Sequence, residues 1–164
     1  MGKEQEVYDL LDSNGITYDV IEHQAVFTVD EIDFDIPDGT EVKNLLLKAK
    51  KKENYYFVIC PGEKRVNLKA LTKKLDEKNL SFASAERLLE LLDLTPGSVS
   101  PLALYKDKEH KIKLVIDESI DRNKNIGFHP NVNTVTIVIN FQEFLKYLKV
   151  IGVEPHYVEV PSPE

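Results

Sequence analysis

The chain has 164 residues, 42% hydrophobic and 30% charged, with a formal net charge of −7. This composition suits one ordinary globular domain with a sizeable core and excludes fibrous, collagen-like and disordered classes. No stretch has the apolar length that spans a bilayer, and the start MGKEQEVYDLLDSNG lacks the basic and then apolar pattern of a secretory signal, so a cytoplasmic protein without membrane contact is expected. One cysteine, Cys60, excludes an internal disulfide, and the histidines at 23, 110, 129 and 156 are too scattered for a zinc site. No metal and no cofactor are expected.

In chain order, residues 3–13 carry Val7, Leu10 and Leu11 at helical spacing and stop at Ser13-Asn14-Gly15, which predicts an amphipathic helix. ITYDVIEH (16–23), VKNLLLKAK (42–50), NYYFVICP (54–61), KIKLVID (111–117) and TVTIVIN (134–140) are apolar or alternating runs that predict strands. Helices are predicted over 67–78 with Asn67 as N-cap, over 84–94 with Ser84 as N-cap, and over 140–152, where Asn140 and Glu143 have capping-box spacing. The second and third strands read as a hairpin. The expected fold is therefore α/β (α+β), a mixed, partly antiparallel sheet with surrounding helices, forming a single domain over 1–164. No GxGxxG or P-loop pattern supports a nucleotide-cofactor fold.

Charge is segregated. Residues 43–74 carry ten basic side chains against Glu53 and Glu63, a local +8 that leaves −15 for the rest. Such a segment can present a positive face to phosphates on an acidic body. The competing reading of Lys50, Lys51 and Lys52 is a solvated hairpin turn that keeps a sheet edge soluble.

Three further pieces carry chemistry. Period two puts Lys43 on one strand face with Leu45, Leu47 and Ala49, and Asn44 on the other with Leu46 and Lys48. An ammonium ending an apolar row either snorkels to solvent or meets a polar ligand at a cavity mouth. LTPGSVSPLAL (94–104) sets a glycine and two serines between prolines. It reads as an ordered loop whose N–H groups can approach a ligand, or as a plain helix cap and turn. His129 stands between Phe128 and Pro130 where a loop enters a strand, which suits a pocket wall or a structural turn histidine. Cys60 has no sequence neighbour that marks it as a nucleophile and reads as a small buried hydrophobe.

In order and spacing, EHQAVFTVDE, VKNLLLKAKK, RVNLKAL, LSFASAERLLELLDLTPGSVSPLAL and IGFHPNVNTVTIVI resemble the freestanding prolyl-tRNA synthetase-associated domain proteins. These are the trans-editing deacylases related to YbaK and to the editing insertion of the synthetase. The resemblance runs from about Glu6 to about Val158, and PGSVSPLAL with FHPNVNT is similar to the branch that hydrolyses Ala-tRNA(Pro). It implies a single aminoacyl-tRNA editing domain that cleaves the ester of mischarged Ala-tRNA(Pro) and spares Pro-tRNA(Pro). A non-catalytic aminoacyl-tRNA binding or regulatory module of the same fold is the alternative.

The resemblance also assigns residues. Lys43 matches the essential lysine, and the backbone of Gly97, Ser98 and Val99 matches the loop that polarises the ester carbonyl. Asn44, Ser100, Pro101, His129, Asn133 and Thr134 would line the substrate pocket. Lys50, Lys51, Lys52, Lys64 and Arg65 would contact the acceptor end of tRNA(Pro), with prolyl-tRNA synthetase as a candidate second partner. No covalent nucleophile is implied; water would attack. Asn67 and Leu46 depart from the aspartate and the aromatic that the family often carries there, which bears on fine specificity.

Overall fold

In a computed structural model of the protein, residues 3–22, 39–40, 42–49, 54–128 and 134–162 are described. Helix α1 (Lys3–Ser13) leads into strand β1 (Asp19–Glu22), and the short β2 (Gly39–Thr40) precedes β3 (Val42–Ala49). Then come β4 (Tyr55–Pro61), α2 (Leu68–Lys74), β5 (Leu80–Phe82), α3 (Ala85–Leu92) and two 3-10 turns, Pro96–Ser98 and Pro101–Lys106. The chain finishes with β6 (Ile112–Asp117), β7 (Asn125–Phe128), β8 (Val135–Asn140), α4 (Phe141–Ile151) and β9 (Pro155–Val158).

The expected α+β class holds, with two sheets among the described residues instead of one. The order is β1-β8-β7-β2 in the first and β5-β3-β4-β6-β9 in the second. The predicted 42–60 hairpin is the β3–β4 pair, running unbroken from Val42 opposite Pro61 to Lys48 opposite Tyr55. Parallel pairs β4–β6 and β6–β9 make the second sheet mixed. β5, β7 and β9 escaped the sequence reading. Each is only three or four residues long, β7 contains Gly127, and β9 opens on Pro155, so composition argues against a strand where tertiary pairing makes one.

One face of each sheet enters the main core. Val42, Leu46, Phe57, Ile59, Leu114 and Ile116 from the second sheet meet Ile126, Phe128, Ile137 and Ile139 from the first, with α1, α3 and α4 closing around them. The opposite face of the second sheet buries Leu47, Tyr56, Val58, Cys60 and Val115 beneath Leu71 of α2 and Val160, a smaller second core.

Helix ends follow local chemistry. The side chains of Asn67, Ser84 and Asn140 accept from the N–H groups of Ala70, Arg87 and Gln142, so all three expected N-caps form. The 140–152 capping box does not close. Glu143 instead accepts from the N–H of Thr17 at 3.0 Å, tying α4 to the segment entering β1. Helix α2 stops at Lys74, short of residue 78, because Asp76 adopts φ 56.

Candidate active site

Strand β3 carries Lys43 and Asn44 as its second and third residues, and the pleat sends their side chains to opposite faces of the sheet. Lys43 pairs with Cys60 across β4 and shares its face. Nearby, Asp117, fully buried at the end of β6, accepts from Lys64 Nζ at 2.6 Å and from the N–H of Ser119 at 3.1 Å, while Lys64 also donates to the Val160 carbonyl at 2.8 Å. Burial pushes the Cys60 thiol up to about 11 against the pull of the Lys43 and Lys64 ammonium groups. It is therefore protonated at neutral pH and, as expected, a packing residue and not a nucleophile.

Asn44 lies on the main-core face with Val42 and Leu46, and its buried Oδ1 has no hydrogen-bond partner. A buried acceptor left without a donor costs about 1–3 kcal/mol, and native proteins rarely tolerate one without a use for it. The segment after α3 joins this same core through Leu94, Val99, Leu102, Ala103 and Leu104.

That segment is ordered as the sequence predicts. Pro96 and Pro101 each open a 3-10 turn. Buried Ser100 caps the second turn, its Oγ accepting from the N–H of Leu102 at 3.2 Å, and Tyr147 of α4 donates its hydroxyl to the Leu102 carbonyl at 2.7 Å. Burial holds the Tyr147 phenol well above its ordinary range, so this donor keeps its proton. Ser98 gives its N–H to the Thr95 carbonyl, which removes it from the set of available donors. Of the three residues whose N–H groups the resemblance assigns to the ester carbonyl, Ser98 spends its N–H on the turn itself.

Strand β7 borders this end of β3. This strand pairs in parallel with β2, just before β3, and packs against β3. It ends at Phe128. His129 and Asn133 lie outside the described residues, and Thr134 is exposed at the turn into β8.

The expected RNA contacts divide. Lys50, Lys51 and Lys52 lie outside the described residues. Lys64 is committed to Asp117 and Val160, whereas Arg65 is exposed. Sequence reasoning missed Asp117 and Tyr147. Asp117 ends an apolar strand and looks like a boundary residue, and Tyr147 sits in a helical stripe where any aromatic would read as packing.

Among the described residues no group of three or more metal-binding side chains occurs. No described helix is long and apolar enough to cross a membrane. The family model of the aminoacyl-tRNA editing domain matches residues 23–147. The chain is 35% identical over 155 residues to the prolyl-tRNA editing protein ProX of Acetoanaerobium sticklandii, covering 93% of this chain and 94% of that one. It is 34% identical over 156 residues to the prolyl-tRNA synthetase associated domain-containing protein 1 of Mus musculus, covering 92% of each. In fold it matches a solved candidate trans-editing enzyme for prolyl-tRNA synthetase with a TM-score of 0.71 at 16% identity over 99% of both chains. The protein belongs to the aminoacyl-tRNA editing domain family.

Proposed function

We propose that the protein is a trans-editing deacylase that hydrolyses the ester of Ala-tRNA(Pro) and spares Pro-tRNA(Pro). The observation that carries this reading is the buried, unpartnered Oδ1 of Asn44, next in sequence to Lys43, on the face of the sheet that also meets the proline-bounded loop. An acceptor so placed suits a donor on the substrate, the α-ammonium or the ribose hydroxyl of an aminoacyl adenosine. The names of relatives that edit prolyl-tRNA support the substrate class.

The chemistry follows from the groups present. Water adds to the ester carbonyl, the carbonyl oxygen becomes an oxyanion, and the backbone N–H groups of the 97–99 turn are the donors assigned to hold it. Collapse breaks the bond to the ribose 3′-oxygen, which takes a proton and leaves as the hydroxyl of the free tRNA end. Lys43 starts on the opposite face at the beginning of β3, and its long side chain would bend round the sheet edge that β5 leaves open, since β5 pairs only with Leu47–Ala49, to bring a cation toward the developing charge. An activated ester needs orientation and charge stabilisation more than a strong base.

Selectivity by size is the physical need. A synthetase pocket shaped for proline cannot strongly reject a side chain that is merely smaller, so a second site must admit alanine and exclude proline by overlap. The wall assigned to that sieve is Lys43, the 97–101 backbone and His129. Single-turnover deacylation of Ala-tRNA(Pro) and Pro-tRNA(Pro) tests the reading: rapid loss of alanine with proline retained is expected, and equal rates would refute the sieve. Tight binding of both without hydrolysis would replace the enzyme by the binding module.

A further inference from the structure

We propose that the solvent face of α2, with Arg65 before it, is a rigid rail for the phosphate backbone of the acceptor stem. This rests on the aminoacyl-tRNA reading above. Helix α2 turns Leu71 and Thr72 inward and leaves Lys69, Lys73 and Lys74 exposed. Residues 64–78 hold six basic side chains against two acidic ones in a chain of net charge −7.

Commitments differ among these cations. Lys64 is locked on Asp117, and Lys74 donates to the Glu159 carbonyl at 3.0 Å. Arg65, Lys69 and Lys73 have no ion pair or hydrogen bond among the described residues. The acids in that stretch, Asp76 and Glu77, come after the helix, and Glu77 already accepts from Asn54 and from the Tyr56 hydroxyl. Exposed Glu63 and Glu159 border the patch.

Position gives the patch its direction. The turn after β4 begins opposite Val42, where Lys64 donates its N–H to the Pro61 carbonyl, and α2 then runs back over the sheet until Glu77 meets Tyr56. The helix therefore starts at the Lys43 end of the β3–β4 pair and heads toward its Lys48–Tyr55 end. Lys69 and Lys73 are four apart, on one helix face about 5–6 Å from each other. Their platform is fixed: Leu71 is fully buried, Asn67 caps the helix, and the Asn67 N–H binds the Pro161 carbonyl at 2.8 Å. Cations on a rigid element, aligned with the catalytic end, suit a polyanion whose 3′ end must enter there.

The test compares a triple variant, Arg65→Gln, Lys69→Gln, Lys73→Gln, with a control of equal charge change elsewhere, Lys108→Gln, Lys124→Gln, Lys149→Gln. Binding of an uncharged tRNA(Pro) acceptor-stem hairpin is measured by fluorescence anisotropy across a salt series, with unfolding midpoints recorded for both variants. The α2 variant is expected to bind at least tenfold more weakly at low salt and to lower the slope of log K against log salt by roughly 2 to 3. Its unfolding midpoint should not change. Equal losses in both variants, or none in either, would overturn the rail. Because the readout is binding of RNA without an amino acid, absence of deacylation would sink the proposed reaction and leave this result standing, while an unmoved salt slope in an active enzyme would sink the rail alone.

Discussion

At the Lys43 end of the second sheet the two faces treat polar groups in opposite ways. Beneath the α2 side, Asp117 is fully buried yet saturated, holding Lys64 and the Ser119 N–H, with the Cys60 thiol kept neutral beside it. On the main-core side, half-buried Asn44 turns inward an Oδ1 that is itself buried and unpartnered. One face spends its polar groups on the fold; the other withholds them. A site for a neutral or cationic ligand group is marked by missing partners, whereas a structural ion pair is marked by complete ones.

If that contrast is right, substitutions on the two faces should separate stability from activity. Asp117→Ala should have the largest effect, a loss of roughly 3 to 5 kcal/mol in unfolding free energy, because it strands the Lys64 ammonium in a mostly buried position; urea denaturation measures it. A loss under 1 kcal/mol would show that Lys64 simply swings to solvent.

Lys43→Ala should leave the urea midpoint within about 1 kcal/mol and slow deacylation by about 2 to 4 kcal/mol in barrier, read from single-turnover rates. Near-wild-type turnover would remove Lys43 from the site.

Asn44→Leu sharpens the comparison most, since its two readouts should move in opposite directions. Deleting an unsatisfied acceptor should keep or raise stability, whereas deacylation should fall by roughly 1.5 to 3 kcal/mol if the amide accepts from the substrate ammonium. Destabilisation by the same amount would make Asn44 an ordinary structural residue.

Tyr147→Phe should cost about 1 kcal/mol of stability by orphaning the Leu102 carbonyl, and should lower kcat with little change in KM if that contact holds the loop in register. Smallest is the thiol. At neutral pH, Cys60→Ala should leave turnover unchanged, and wild-type Cys60 should resist alkylation. Because burial raises the folded thiol from its ordinary 9.0 to about 11, the unfolded chain ionises first, so stability should decline specifically between those pH values and the alanine variant should lose that step.

The sequence by itself determined the local elements and their faces. Caps at Asn67, Ser84 and Asn140, the long strands, and the split of Lys43 from Asn44 all follow from side chains acting within a few residues, where period and propensity suffice. The proline-bounded loop and the lone cysteine were legible for the same reason. Only the tertiary structure decided what each polar group meets. Lys64 read as a phosphate contact until β6 brought Asp117 to it, Glu143 read as a cap until Thr17 took it, and Ser98 read as a donor until Thr95 claimed its N–H. Likewise β5, β7 and β9 become strands because a neighbour offers hydrogen bonds that their short sequences cannot announce. Hydrogen bonds and desolvation depend on groups far apart in the chain, and so on how two sheets and four helices close around one another.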